Sequence, residues 1–106
     1  KLSDSKAYER LIRKITIENL WLYIIKILKD CNELRAYDIK KELSRRFNVK
    51  PATITVYAVI YKMVKEGLIE SVKTSDGLRY RVTEKGMRTF EQGIKYINEI
   101  IRMLST

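Results

Sequence analysis

A mainly helical fold with one small β-hairpin is what this sequence predicts, and three observations predict it. Apolar residues recur at helical spacing through most of the 106 residues. Only four glycines and one proline are present, too few for the many turns of an all-β sandwich. The apolar period switches from 3.6 to 2 in one place, between Leu68 and Val82, on either side of an Asp-Gly pair. The length is that of one domain.

Ser3, Asp4 or Ser5 is suited to cap a first helix, whose apolar stripe is Tyr8, Leu11, Ile12 and Ile15. Glu9, Arg10, Arg13 and Lys14 oppose that stripe, so the helix is marginal alone. Thr16 reads as the N-cap of a second helix, with Ile17, Leu20, Trp21, Ile24, Ile25, Leu28 and Cys31 as a broad buried face and Asn32 as its stop. A third helix is expected from Ala36 to Phe47, burying Ile39, Leu43 and Phe47, with Asn48 ending it. Pro51 suits the first position of a fourth helix, because its missing N–H would be unpaired there anyway. That helix runs to Glu66, where Gly67 supplies a left-handed stop.

With Ile60 at the centre of its buried face, Val56, Tyr57, Met63 and Val64 lie alongside. Thr55, Ala58, Tyr61, Lys62 and Lys65 then point outward, with Ile54 at the edge of that arc. Leu68–Lys73 and Leu78–Val82 follow as two short strands around the turn Thr74-Ser75-Asp76-Gly77, whose core is Asp-Gly. Leu78, Tyr80 and Val82 share one face of the second strand, and Arg79 and Arg81 the other. Thr83 caps a last helix, in which Met87, Phe90, Ile94, Ile97, Ile101 and Leu104 repeat at spacings of 3 and 4.

The composition excludes several function classes. With no histidine and one cysteine, the chain cannot build a Cys/His zinc site, a Ser-His-Asp triad or a Cys-His pair. No Gly-rich phosphate loop or paired carboxylates in an apolar cleft are visible, so no catalytic residue, metal or cofactor is expected. No run approaches the ~20 apolar residues of a membrane span, and the polar start shows no secretion signal. A cytoplasmic location is expected. Abundant Ile and charge with a single Gln suggest a thermophile's composition.

The net charge of +9 is concentrated. Residues 35–83 hold 11 basic and 5 acidic side chains, while both terminal segments are nearly balanced. A concentrated basic region implies an anionic partner.

The order helix, helix, helix, hairpin, helix places a winged helix-turn-helix over residues 16–83. Residues 1–15 form an N-terminal extension and residues 84–106 a C-terminal helix, both available for dimerisation. The fourth helix would be the recognition helix in the major groove of double-stranded DNA, and the hairpin the wing on backbone or minor groove. Candidate DNA contacts are Lys50 at the helix entry, Thr53, Thr55, Tyr57, Tyr61 and Lys62 on the helix, and Lys73, Arg79 and Arg81 on the wing. The candidate dimer seam is Tyr8, Leu11 and Ile12 with Met87, Phe90, Ile94, Ile97, Ile101 and Leu104. A homodimer matches a pseudo-palindromic site. The first helix covering the last within one chain is the monomeric alternative. Trp21 and Cys31 read as structural, on the apolar side of their helix, with an interface pocket for a planar effector beside Trp21 as the alternative.

Several segments resemble the PadR-like winged-helix transcriptional regulators. They are Tyr37-Asp38-Ile39, then Tyr57 followed by Glu66-Gly67-Leu68-Ile69, then Tyr80-Arg81-Val82-Thr83-Glu84-Lys85-Gly86. The resemblance covers roughly residues 17–86. The stretch Pro51–Val56 is two residues longer than that family's usual turn, and Arg35-Ala36 stands where a Gly is common. The resemblance implies a homodimeric DNA-binding regulator, often a repressor, paired through its terminal helices. The alternatives are a winged-helix module for protein contacts within a transcription or replication assembly, and a general nucleoid DNA binder.

Overall fold

The computed structural model describes residues 5–106. In chain order it has α1 (Lys6–Ile15), a short 3₁₀ turn (Ile17–Asn19), α2 (Leu20–Cys31), α3 (Ala36–Phe47), α4 (Thr53–Lys65), β1 (Ile69–Thr74), β2 (Gly77–Val82) and α5 (Glu84–Ser105). Helices α2, α3 and α4 with the β1–β2 hairpin form the winged helix-turn-helix expected from the pattern.

Its core is a single apolar cluster. Leu20, Ile24, Ile25, Ile27 and Leu28 of α2 meet Ile39 and Leu43 of α3, and Val56, Ile60 and Met63 of α4. Each of these residues is at most 2% exposed. At roughly 1.5–3 kcal/mol per buried aliphatic side chain, this cluster is the main term holding the three helices at fixed angles.

Several helix boundaries differ from the pattern reading. Ser5 caps α1, its hydroxyl accepting from the Tyr8 N–H at 3.2 Å; the alternatives Ser3 and Asp4 lie outside the described residues. Thr16 precedes a 3₁₀ turn rather than α2 itself, and its side chain caps neither. Its backbone is helical and its hydroxyl donates back to the Ile12 carbonyl at 2.7 Å, so the chain makes a 3₁₀ turn before α2 begins at Leu20. Pro51 lies in the turn, buried, and α4 starts at Thr53 after an extended Ala52. The turn uses Val49 and Pro51 to close the core beneath it, which delays the helix. Cys31 is exposed rather than buried. It is the last residue of α2, beyond the level at which α3 and α4 cover that helix, and Asn32 (φ 68°) turns the chain away.

Asn48 ends α3 in the left-handed conformation at φ 56°. Its N–H reaches the Ser44 carbonyl at 3.0 Å, and the Val49 N–H the Leu43 carbonyl at 3.1 Å. Both close carbonyls that the helix end would leave unpaired. In the hairpin, Thr74 pairs with Gly77, so the turn residues are Ser75 and Asp76 rather than Asp-Gly. Gly77 takes the positive φ, 116°. A backbone bridge between Leu34 and Tyr80 adds a third, minimal strand and ties the wing to the α2–α3 connection.

Helix α5 is anchored at its start. The Thr83 hydroxyl lies 2.6 Å from the Gly67 carbonyl oxygen and accepts from the Gly86 N–H at 3.0 Å. A Cβ at Gly86 would overlap the Leu68 carbonyl and sit 2.9 Å from a Val82 methyl, so only glycine allows this approach. Met87 and Phe90 pack against the chain's own core. Beyond them α5 leaves the domain, and Ile94, Ile97, Ile101 and Leu104 are exposed. No residue of α1 is buried, and its Tyr8, Leu11, Ile12 and Ile15 are exposed as well. The intrachain cover of α5 by α1 is therefore slight, limited to Ile15 near Tyr96 and Ile97.

Candidate nucleic-acid interface

Helix α4 stands at the surface along one side. Thr53, Ile54, Ala58, Tyr61 and Lys62 are exposed and Thr55 is half-buried, while Val56, Ile60 and Met63 hold the opposite side in the core. The outward side carries no acidic residue before Glu66. Lys50 is exposed in the turn that delivers the helix. Tyr57 differs from its expected place at the core margin: it is 49% exposed. It lies across a cleft of about 280 Å³ between α4 and the wing, lined also by Tyr61, Val64, Ser71, Leu78 and Tyr80.

Ile54 was not singled out by the helical wheel, which left it at an edge, yet it is 79% exposed. It is the second residue of α4 and lies on the side away from Val56, which the same turn buries in the core. Lys65 lies over the Tyr61 ring, 5.6 Å from its centre, so that aromatic and cation form one unit.

The wing divides its cations between two faces. Lys73 shares the face of Ser71, Leu78 and Tyr80, which lies toward α4. Arg79 and Arg81 lie on the other face, and both are engaged within the chain. The Arg81 Nε is 2.7 Å from Glu70 across the strand pair, and its Nη1 is 3.4 Å from Glu33. Those hydrogen bonds and charges raise the Arg81 pKa further. Arg79 Nη2 is 3.4 Å from Asp76. The Asp76 carboxyl is held below its ordinary 3.8, first by the Thr74 hydroxyl and then by Arg79.

Arg45 and Arg46 of α3 are likewise paired, with Glu42 at 2.7 Å and Asp30 at 2.5 Å. Among the described residues of α3, the turn, α4 and the wing, Lys40, Lys41, Lys50, Lys62, Lys65 and Lys73 have no ion pair, Lys41 and Lys65 lying over the Tyr37 and Tyr61 rings. Of these, Lys50 in the turn, Lys62 on the outward side of α4 and Lys73 on the wing are exposed and stand free of a ring as well. No group of three Cys, Asp or Glu side chains that could hold a metal is present among the described residues, and no described helix is long and apolar enough to cross a membrane.

Known structures share this arrangement. A winged-helix DNA-binding protein from STIV superposes with a TM-score of 0.71 at 23% identity, over 81% of this chain and 94% of its own. A transcriptional regulator from Clostridium thermocellum gives 0.75 at 17% identity, over 97% and 96%. A PadR family transcriptional regulator from Eggerthella lenta gives 0.70 at 17% identity, over 95% of each chain. At these identities the likeness establishes the fold. Comparison with curated proteins gives no match. The family model of the PadR-like transcriptional regulators matches residues 24–92, a span from α2 into α5 that includes the whole of α3, α4 and the β1–β2 hairpin. The chain belongs to the PadR-like family of transcriptional regulators, which are DNA-binding regulators and not enzymes.

Proposed function

We propose that the protein is a sequence-specific repressor that binds double-stranded DNA as a homodimer. Helix α4 would enter the major groove, and Lys73 at the wing would meet the adjacent backbone or minor groove. One observation carries the reading: the unpaired lysines 50, 62 and 73 surround an exposed α4 face that lacks acidic residues, while the remaining arginines of the domain's α3 and wing are neutralised within the chain. Phosphate contact from these lysines supplies affinity, and the first turn of α4 supplies base readout.

Pairing of two chains is supported by the apolar stripes of α1 and the far half of α5, which remain largely exposed among the described residues. A contiguous exposed apolar surface of that kind marks an interaction site. A groove of about 290 Å³ beside Trp21, lined also by Leu22, Tyr96 and Ile97, has the size and apolar lining for a planar effector to bind there. A cytoplasmic site of action follows from a DNA target.

Selection of bound duplexes from a random pool, followed by anisotropy titration, tests the proposal. A recovered inverted repeat bound by two chains, well ahead of random sequence, is the expected result. Equal affinity for all sequences would instead make the protein a general nucleoid binder. Indifference to duplex DNA at 50 mM salt would leave the winged helix as a protein-contact module.

A further inference from the structure

We infer that Ile54 determines specificity by reading the 5-methyl groups of thymine in the major groove. The inference rests on the DNA-binding reading and names the base that the α4 surface fits.

Ile54 is 79% exposed in the first turn of α4, the part of a recognition helix that lies nearest the base edges. No Arg, Lys, Asn, Gln, Asp or Glu occurs between Lys50 and Lys62. Bidentate hydrogen bonding to guanine or adenine therefore has no donor or acceptor side chain in that turn. What the turn presents is the Ile54 side chain, flanked by the small or hydroxyl-bearing Thr53, Thr55 and Ala58. Among the bases only thymine carries an apolar group in the major groove.

Two further properties fit that occupant. Ile is β-branched and stiff at χ1 in a helix, so its apolar tip is already ordered and little conformational entropy is lost on contact. The lysines around it, Lys50 before the helix and Lys62 further along, have no ion pair among the described residues, a charge pattern suited to a polyanion with an apolar groove lining. An apolar protein surface would instead have to desolvate those lysines.

The test replaces each thymine of the tightest recovered duplex with deoxyuridine, which removes the methyl group alone. Loss of one buried methyl is expected to weaken binding about fourfold, and loss of one in each half-site about fifteenfold. Ile54→Ala should weaken binding to the thymine duplex by a similar factor and bind the uracil duplex no worse than the unaltered protein does. Ile54→Val should keep most of the discrimination. Ile54 is exposed, so both variants should retain the far-ultraviolet spectrum of the parent. If the duplex binds but no thymine is sensitive to uracil, or if Ile54→Ala leaves the sensitivity intact, the inference is overturned while DNA binding stands. If no duplex is recovered at all, the DNA-binding reading fails first and the inference with it.

Discussion

The division of cations on the wing leads to a quantitative contrast between Lys73 and Arg81. Lys73 has no carboxylate partner among the described residues, whereas the Arg81 guanidinium is shared by Glu70 and Glu33. A lysine that meets phosphate releases about 0.9 counterion per contact on B-DNA, so Lys73→Ala in a two-chain complex should flatten the slope of log K against log salt by ~1.8. Between 50 and 200 mM salt that change narrows the affinity gap between parent and variant by about twelvefold. For Arg81→Ala the prediction is a slope change below about 0.5, because the charge it removes is already neutralised and two carboxylates are freed in exchange. The assay is anisotropy on a mixed-sequence duplex at five or six salt concentrations. If Arg81→Ala flattens the slope as much as Lys73→Ala does, the ion pairs open on binding, and the inference from pairing to availability is refuted.

Three other outcomes are expected. Leu11→Asp or Ile101→Asp, each placing a charge on an exposed apolar stripe, should halve the mass seen by light scattering from twice 12.6 kDa to 12.6 kDa; an unchanged mass would remove α1 and α5 as the seam. Gly86→Ala should cost about 1–3 kcal/mol in urea unfolding, because the atom crowded by the new methyl is backbone and cannot swing away; unchanged stability would contradict the close approach. Acid should destabilise the fold only below the ordinary carboxylate range. Glu18, Asp30, Glu42 and Asp76 are all held below their ordinary values, chiefly by hydrogen bonds from Lys14, Arg46, Arg45 and Thr74 respectively. A depressed folded pKa contributes stability above the unfolded value and loses it as pH falls through the folded one, so Tm should hold from neutrality to about pH 5 and then decline. Glu18, Asp30 and Asp76 are exposed and Glu42 is half-buried, so the decline should shrink in high salt. A Tm that rises on acidification would reverse the assigned sign.

Much of the fold is legible because local and global signals agree along α2 to α4. The stripe of Leu20, Ile24 and Leu28 and that of Val56, Ile60 and Met63 are periodic over about two turns, and each helix ends at a residue that tolerates or requires positive φ. The boundaries were less legible. Pro51 and Thr16 are good capping residues, but tertiary packing of the turn and a 3₁₀ step decide where α4 and α2 begin. The interface is legible in outline, as a basic segment on the right elements. What composition does not carry is pairing at a distance: Glu33 lies 48 residues from Arg81, and nothing local to either signals the contact.

The junction at Thr83 has a consequence for the geometry of a two-chain complex. Its hydroxyl joins the start of α5 to the carbonyls of Gly67 and Leu68, and the Lys85 ammonium donates to the Glu66 carbonyl at 2.7 Å, so the last turn of α4 and the first of α5 are clamped together. In a dimer paired along α5, the distance between the two recognition helices is then a property of this joint and of the angle at which the α5 helices cross. Operator spacing would be set as the span of a pair of callipers is set by its hinge. Loosening the joint, as Thr83→Val would, should broaden the range of half-site spacings accepted without changing the bases preferred in each.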